Sequence, residues 1–428
     1  MFLRSPDNSF VFFPGGRLQV DGYFFKSRNK VPNDTFLLRR ARLELVGWIG
    51  GFAFFSIAGD FAAAPPSTTP NPALQSYLNA TDDYVGVAPW GTVAMFQFGQ
   101  YDAPFTLENR TSDKYFDFME RSISVRAFGV PQNKETGGML HGYDDAKHFM
   151  YSVGLFNGDG QNFKNVDEHF DWIGRAWVAP ASFLGDGPLH DVAIGGSFWS
   201  GYRKFAGPPA NQSTQAGFTF LNFAPYTTGA SSEVPNTMVG LRQFHHQNSF
   251  AFELNAPIAH KFGVRYELVW KKVPLTADVI AASGAGTHLG QAELKGTSMY
   301  VEAWVWALGD DRIIGDQQGL EPLPRYKKFG TRSPKHGLMI AGRIENLSER
   351  VTEDPETAAL NLGNKVVGHT HVNSYELGAN YWYTKRFRAT ANYVFNYFQQ
   401  HGADTAPQVK ALKSPAEHEI LFRLAVAL

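Results

Sequence analysis

The sequence predicts an all-β fold, a transmembrane antiparallel β-barrel of about sixteen strands. Three observations carry it. Apolar residues recur with period two, which puts them on one face of a strand. Many of these alternating runs reach ten or more residues, against a usual strand of ~5–6 and the ~9–11 that a membrane crossing needs. The connections between them alternate short and long, the rim-to-rim asymmetry of outer-membrane barrels.

Sixteen strands are expected, over residues 15–26, 36–46, 51–61, 80–88, 91–99, 135–143, 147–156, 168–179, 188–200, 247–255, 260–272, 292–307, 335–346, 370–383, 385–399 and 417–428. Phe262-Gly263-Val264-Arg265-Tyr266-Glu267-Leu268 shows the pattern, with one parity apolar and the other charged or small. In a soluble sandwich the apolar face would meet a second sheet; in a barrel it meets lipid. Local pattern leaves both open, and sixteen long strands in one sheet favour closure, which removes the edges. In the last strand Ile420, Phe422, Leu424, Val426 and Leu428 share the lipid parity, and the chain stops there. Tyr375, Tyr381, Tyr383, Tyr393 and Tyr397 suit the level where hydrocarbon meets headgroups. One connection, 308–334, is long where a short turn is due.

Composition narrows the function classes. The chain has 428 residues, with 39 Lys+Arg against 40 Asp+Glu, so no global charge draws it to nucleic acid. Charged residues are 18%, below the ~25% of soluble domains. Cysteine is absent, which removes disulfides, thiolate metal sites and thiol nucleophiles. The longest apolar run, Leu45–Gly59, is too short for a spanning helix and is broken by Gly47, Gly50 and Gly51. No leader-like order stands at the N-terminus; for an exported protein, a leader would precede residue 1.

Several stretches, taken in order, resemble the phosphate-selective porin O and P family. They are Leu38-Arg39-Arg40-Ala41-Arg42-Leu43-Glu44-Leu45, Phe98-Gly99-Gln100-Tyr101-Asp102-Ala103-Pro104-Phe105, Thr111-Ser112-Asp113-Lys114-Tyr115, Phe118-Met119-Glu120-Arg121, Gly154-Leu155-Phe156-Asn157-Gly158 and Asn380-Tyr381-Trp382-Tyr383. The resemblance implies one barrel domain over residues 1–428, a homotrimer in the outer membrane of a Gram-negative bacterium, and passive diffusion of ions and small hydrophilic solutes. It also implies that the third long loop, about 100–134, folds inward, and that a long periplasmic segment covers 308–334. Of the motif residues, it implies that Arg39, Arg40 and Lys114 crowd the narrowing.

A pore offers a permeant ion partners that offset lost hydration and still release it. Arg suits phosphate because its planar fork makes paired hydrogen bonds. Parity puts Arg17, Arg40, Arg42, Arg175, Lys261, Arg265, Lys271, Arg343, Arg386, Arg388 and Arg423 inward, with Asp21, Glu44, Asp171, Glu253, Glu267, Glu345, Glu376 and Glu419. Arg110, Arg121 and Arg126 join Lys114 on the inward loop. Arg39 falls on the outward parity, so it needs a bulge to reach the pore. Such a mixed lumen with a basic tilt predicts a weak anion preference. The loop charges have a second reading, as partners that hold the loop to the wall.

No cofactor or metal is expected. His245-His246 and His369-Thr370-His371 lack a nearby acid at ligand spacing, and Asn157, Asp159, Asn162 and Asp167 lack the spacing of a calcium loop. No nucleophile elbow or phosphate cradle occurs, so no enzyme activity is expected. A non-channel barrel, enzymatic or receptor-like, is the alternative, and bilayer conductance separates the two. A plugged transporter needs about 22 strands, and the charged inward face speaks against a hydrocarbon channel.

Overall fold

The computed structural model describes residues 3–27, 33–62, 79–130, 133–206, 212–215, 217–221, 223, 226–227, 238–279, 288–314, 335–353, 368–402 and 415–427. Within these, sixteen strands form the wall. They are β1 Phe10–Ser27, β2 Thr35–Ile49, β3 Ala53–Asp60, β4 Asp83–Val87, β5 Met95–Asp102, β6 Lys134–Tyr143, β7 Phe149–Phe156 and β8 Asp171–Val178. The second half is β9 Ala193–Ala206, β10 Met238–Ile258, β11 Phe262–Val279, β12 His288–Leu308, β13 Gly337–Glu353, β14 Gly368–Thr384, β15 Phe387–Gly402 and β16 Ala416–Ala427. Each pairs antiparallel with the next. β16 returns to β1, from Arg17↔Ala427 to Ser27↔Glu417, and closes the cylinder. Closure satisfies the backbone without leaving an edge. Among the described residues no helix is long and apolar enough to cross a membrane.

The two parities separate as expected. Phe98, Leu377 and Leu424 are 67%, 59% and 56% exposed on the outside. On β16, Ile420, Phe422 and Leu424 face out while Glu417, Glu419, Leu421 and Arg423 are buried inside; Leu428 lies outside the described residues. The wall is uneven. β10 and β12 run to 21 residues each, whereas β3, β5, β7 and β8 have 8 and β4 has 5.

The lumen holds chain. After β5, the segment through Val130 turns inward and carries two short helices, α1 Leu107–Arg110 and α2 Ile123–Phe128. Wall carboxylates hold their N-terminal N–H groups, which have no intrahelical partner. Glu267 on β11 accepts from the N–H groups of Leu107 (2.5 Å) and Glu108 (3.1 Å), and Glu345 on β13 accepts from the Ile123 N–H. Phe105, Ile123 and Phe128 then pack on wall residues Val269, Leu294, Leu347 and Phe398. Phe128 lies directly over Gly296, where a Cβ would strike its ring. A second piece also enters. Phe218, Phe220, Leu221 and Phe223 join the same cluster, and Gln212 and Gln215 donate to Glu349 and Glu376 of the wall. The expectation of a charged inner face therefore needs correction. It is charged in the middle. Apolar clusters lie above and below, including Phe54, Met95, Tyr143, Met150 and Trp177 toward the short turns. Most of the long connection expected at 308–334 falls at 315–334, outside the described residues.

Candidate constriction inside the barrel

β2 supplies the cationic side. Its register with β1 slips at one place: Gln19 pairs with Arg40 and Val20 with Leu38, so Arg39 is the extra residue of a bulge. The bulge resolves the parity conflict. Arg40 and Arg42 keep the inward parity, and Arg39 also reaches the inner segment. Its Nε lies 2.8 Å and its Nη2 3.1 Å from the two oxygens of Glu120.

The inward segment supplies the acids that meet these bases. Asp113 accepts from Arg17, stands 2.7 Å from Arg40 Nε, and lies 3.9 Å from Arg42 Nη1. Arg17 also pairs with Glu44, which Lys114 Nζ meets at 2.8 Å from the other side. Arg42 reaches Asp60 at 3.3 Å and Asp82 at 3.7 Å, and Lys134 bridges Asp82 (2.6 Å) and Asp102 (2.8 Å). Burial pushes the Asp113 carboxyl up, but Arg17, Arg40 and Arg42 outweigh it and hold it well below the usual carboxylate range. Glu120 behaves alike: burial raises it, and Arg39, Arg423 and Arg40 hold it well below. Burial and the Arg17 charge pull Lys114 below the usual ammonium range, with Glu44 opposing. Such a site is a paired field, with an acid against every one of these bases.

The other candidates divide. Arg343 is an anchor: 2% exposed, it meets Glu108 (2.9 Å), Glu345 (3.0 Å) and Glu376 (3.0 Å), and donates to the Glu120 carbonyl. Arg265 joins Asp117 (3.0 Å) to Glu302 (2.5 Å). Arg121 donates to the carbonyls of Glu108, Asn109 and Thr111, so it caps the end of α1 and does not line a pore. Arg110 and Arg126 sit in the last turns of α1 and α2, and Arg126 donates to Ser213 of the second inward piece. Arg388 donates to the Phe116 carbonyl. Two of the inward assignments fail. Arg386 lies exposed in the turn between β14 and β15, and Lys261 lies exposed between β10 and β11, because parity stops applying where the strand ends.

Sequence reasoning missed Glu302, Lys134, Glu135 and Arg203 as inward charges. Glu302 sits between Val301 and Ala303 on β12, and parity alone could have placed it. Glu135 accepts from the Gly158 and Gly160 N–H groups, a contact between distant segments that no local pattern signals. Nothing local marked Phe218 and Phe220 as inward either. No cluster of three or more potential metal-ligating side chains occurs among the described residues. Asp159 and Asn165 accept turn N–H groups instead. His369 and His371 bond Ser348 and Asn346 on the neighbouring strand, and His245 and His246 meet the Tyr202 ring edge to face.

With a closed sixteen-strand wall and an inward segment in place, comparison with known proteins is decisive. Residues 14–198 match the family described as phosphate-selective porin O and P. Over that stretch, somewhat under half of the chain, the sequence is similar to that porin family. The protein is an outer-membrane channel of a Gram-negative bacterium. No curated protein sequence matches the chain. Among solved structures, the trimer form of OmpT, an outer membrane protein of Vibrio cholerae, superposes with TM-score 0.53 at 10% identity, over 98% of this chain and 100% of that one. The anion-selective porin from Comamonas acidovorans gives 0.51 at 8% identity, over 98% and 100%. The outer membrane channel DcaP of Acinetobacter baumannii gives 0.52 at 11%, over 100% and 99%. At these identities the likeness is one of fold.

Proposed function

We propose that this porin passes ions and small hydrophilic solutes with a weak preference for anions, set where Arg39, Arg40 and Arg42 of the wall meet the inward segment that carries Lys114. The supporting observation is the unequal exposure within the paired field. The segment's acids turn toward buried arginines, with the Asp113 and Glu120 side chains 7% and 9% exposed, while those of Arg39 and Lys114 are 35% and 17% exposed. A permeant ion therefore meets the two bases more readily than the acids that neutralise them. Asp82 and Asp102, at 26% and 24%, are more exposed than Lys114 and limit the effect to a weak one. A stronger phosphate selectivity needs unpaired cations, and this cluster has its cations paired.

The whole chain acts as one barrel domain, its short turns periplasmic and long loops extracellular. It assembles as a homotrimer, a reading favoured by the trimer form of the Vibrio cholerae relative. It does no covalent chemistry. In planar bilayers the purified protein gives ohmic channels, and a salt gradient gives a reversal potential of weak anion preference. Arg39→Glu combined with Lys114→Glu moves that potential toward cations. An unmoved potential sinks the placement; no conductance at all sinks the channel and favours a receptor-like barrel.

A further inference from the structure

The geometry points to a carboxylate subsite inside the barrel, toward the short turns, formed by Arg388, Trp382 and Trp306. It takes an organic acid with an aromatic or similarly flat apolar body. The inference rests on the channel reading above and names a permeant class for it.

Arg388 differs from the anchoring arginines. It is 2% exposed, yet it forms no ion pair among the described residues. Nη1 donates to the Phe116 carbonyl at 2.7 Å, and Nε and Nη2 have no hydrogen-bond partner among the described residues. A buried charge left this way is expensive unless an anion meets it. Trp382 is its register partner across β14 and β15, and its ring lies 4.8 Å from the guanidinium centre. The Trp382 indole N–H is also unpartnered among the described residues, at 3% exposure. Trp306 adds a third orphan. Its ring lies over Gly337, where a Cβ would come within 2.8 Å of Cζ3, and Gly337 is the register partner of Trp382. The Trp306 N–H has no partner among the described residues either, at 4% exposure. The Asn392 amide nitrogen, which with Phe118 lies against Gly378 and is four residues along β15 from Arg388, is likewise unsatisfied among the described residues.

All the orphans in this group are donors. Water satisfies such a set poorly, because its own hydrogens find no acceptor; a carboxylate accepts at both oxygens and neutralises the guanidinium. The surroundings fix the rest of the ligand. Trp304, Met339, Ile313 and Phe118 form one apolar cluster with the two tryptophans. A flat apolar body is stabilised there. Inorganic phosphate would meet the same donors, but it carries more hydration to shed against these rings and has no apolar body to offset that cost, so benzoate is favoured over phosphate and over acetate.

The test is chloride current through the reconstituted protein, titrated with benzoate, acetate or inorganic phosphate. Benzoate reduces the current at the lowest concentration. Arg388→Gln and Trp306→Phe each raise its half-blocking concentration about tenfold or more, the loss of one hydrogen bond to a charged group. Trp306→Phe keeps the ring and loses only the N–H, so it decides the matter where Arg388→Gln disturbs the wall. Normal chloride current with benzoate no better than acetate, or with both variants blocked as the parent is, overturns the subsite and leaves the channel standing. If there is no current at all, the channel reading fails separately. Benzoate quenching of indole fluorescence in detergent then decides: quenching reduced in Trp306→Phe supports the subsite, and none in the parent overturns it.

Discussion

Replacing Arg343 by Met tests how the inner segment is held. Arg343 is 2% exposed and lies 2.9–3.0 Å from carboxylates of Glu108, Glu345 and Glu376. Removing one partner of a buried ion pair costs ~3–5 kcal/mol, because the charge left behind stays buried. Here three carboxylates lose one cation. Glu376 is the register partner of Arg343, and Glu345 lies two residues along β13, so the acids left behind are two wall side chains and Glu108 of the inner segment. The wall itself keeps its ladder of backbone hydrogen bonds. The deficit therefore falls on the docking of the inner segment, which Arg343 holds at the Glu108 side chain and the Glu120 carbonyl. Anchors remain at Glu267 and Arg423, so the segment loosens but is not released. Single-channel records of Arg343→Met should show frequent sublevels and a larger mean conductance, and heat unfolding in detergent should shift to lower temperature. Arg343→Lys should fall between, since a point charge serves fewer acids. Conductance, noise and unfolding all equal to the parent would refute the anchoring scheme.

Three further outcomes are expected. Phe128→Ala removes a fully buried ring that rests on Gly296 and should cost ~3–5 kcal/mol, seen as a lower unfolding midpoint with wider conductance fluctuation. Glu267→Gln weakens the hydrogen bonds that hold the start of α1 and should cost ~1–2 kcal/mol, read as a modest rise in sublevel occupancy. Asp113 and Glu120 lie well below the usual carboxylate range when folded, so the stability they give is full above the unfolded carboxylate value and is lost as pH falls through the folded one. Open-channel current should stay steady from pH 8 down to about 5 and become noisy only below about pH 4, a change that Asp113→Asn should bring to neutral pH.

Much of the fold was legible because a membrane barrel repeats one simple constraint. Phe422 and Arg423 must face opposite solvents, so parity reads directly as inside or outside. The same rule placed Arg265, Arg343, Glu267 and Glu345 within the lumen. It failed at Arg386 and Lys261, where turns replace strands, and it reached Arg39 only through a bulge that pairing with β1 creates. Roles were less legible than positions. Arg121 and Arg343 carry the charge expected of pore residues, but their partners come from segments far along the chain, and those partners make them fasteners. The apolar filling by Phe218, Phe220 and Phe128 was hidden for a similar reason. Loop sequence carries no period, and burial inside a barrel is set by the wall it meets.

The narrowing beside Lys114 can be tested on a chain that has no cysteine of its own. A negatively charged methanethiosulfonate reagent is added to Lys114→Cys during single-channel recording. The thiol there is expected to react from water, the current to drop in one step per channel, and the reversal potential to move toward cations. Complete modification at position 114, verified by mass, with current and reversal potential untouched would contradict the account.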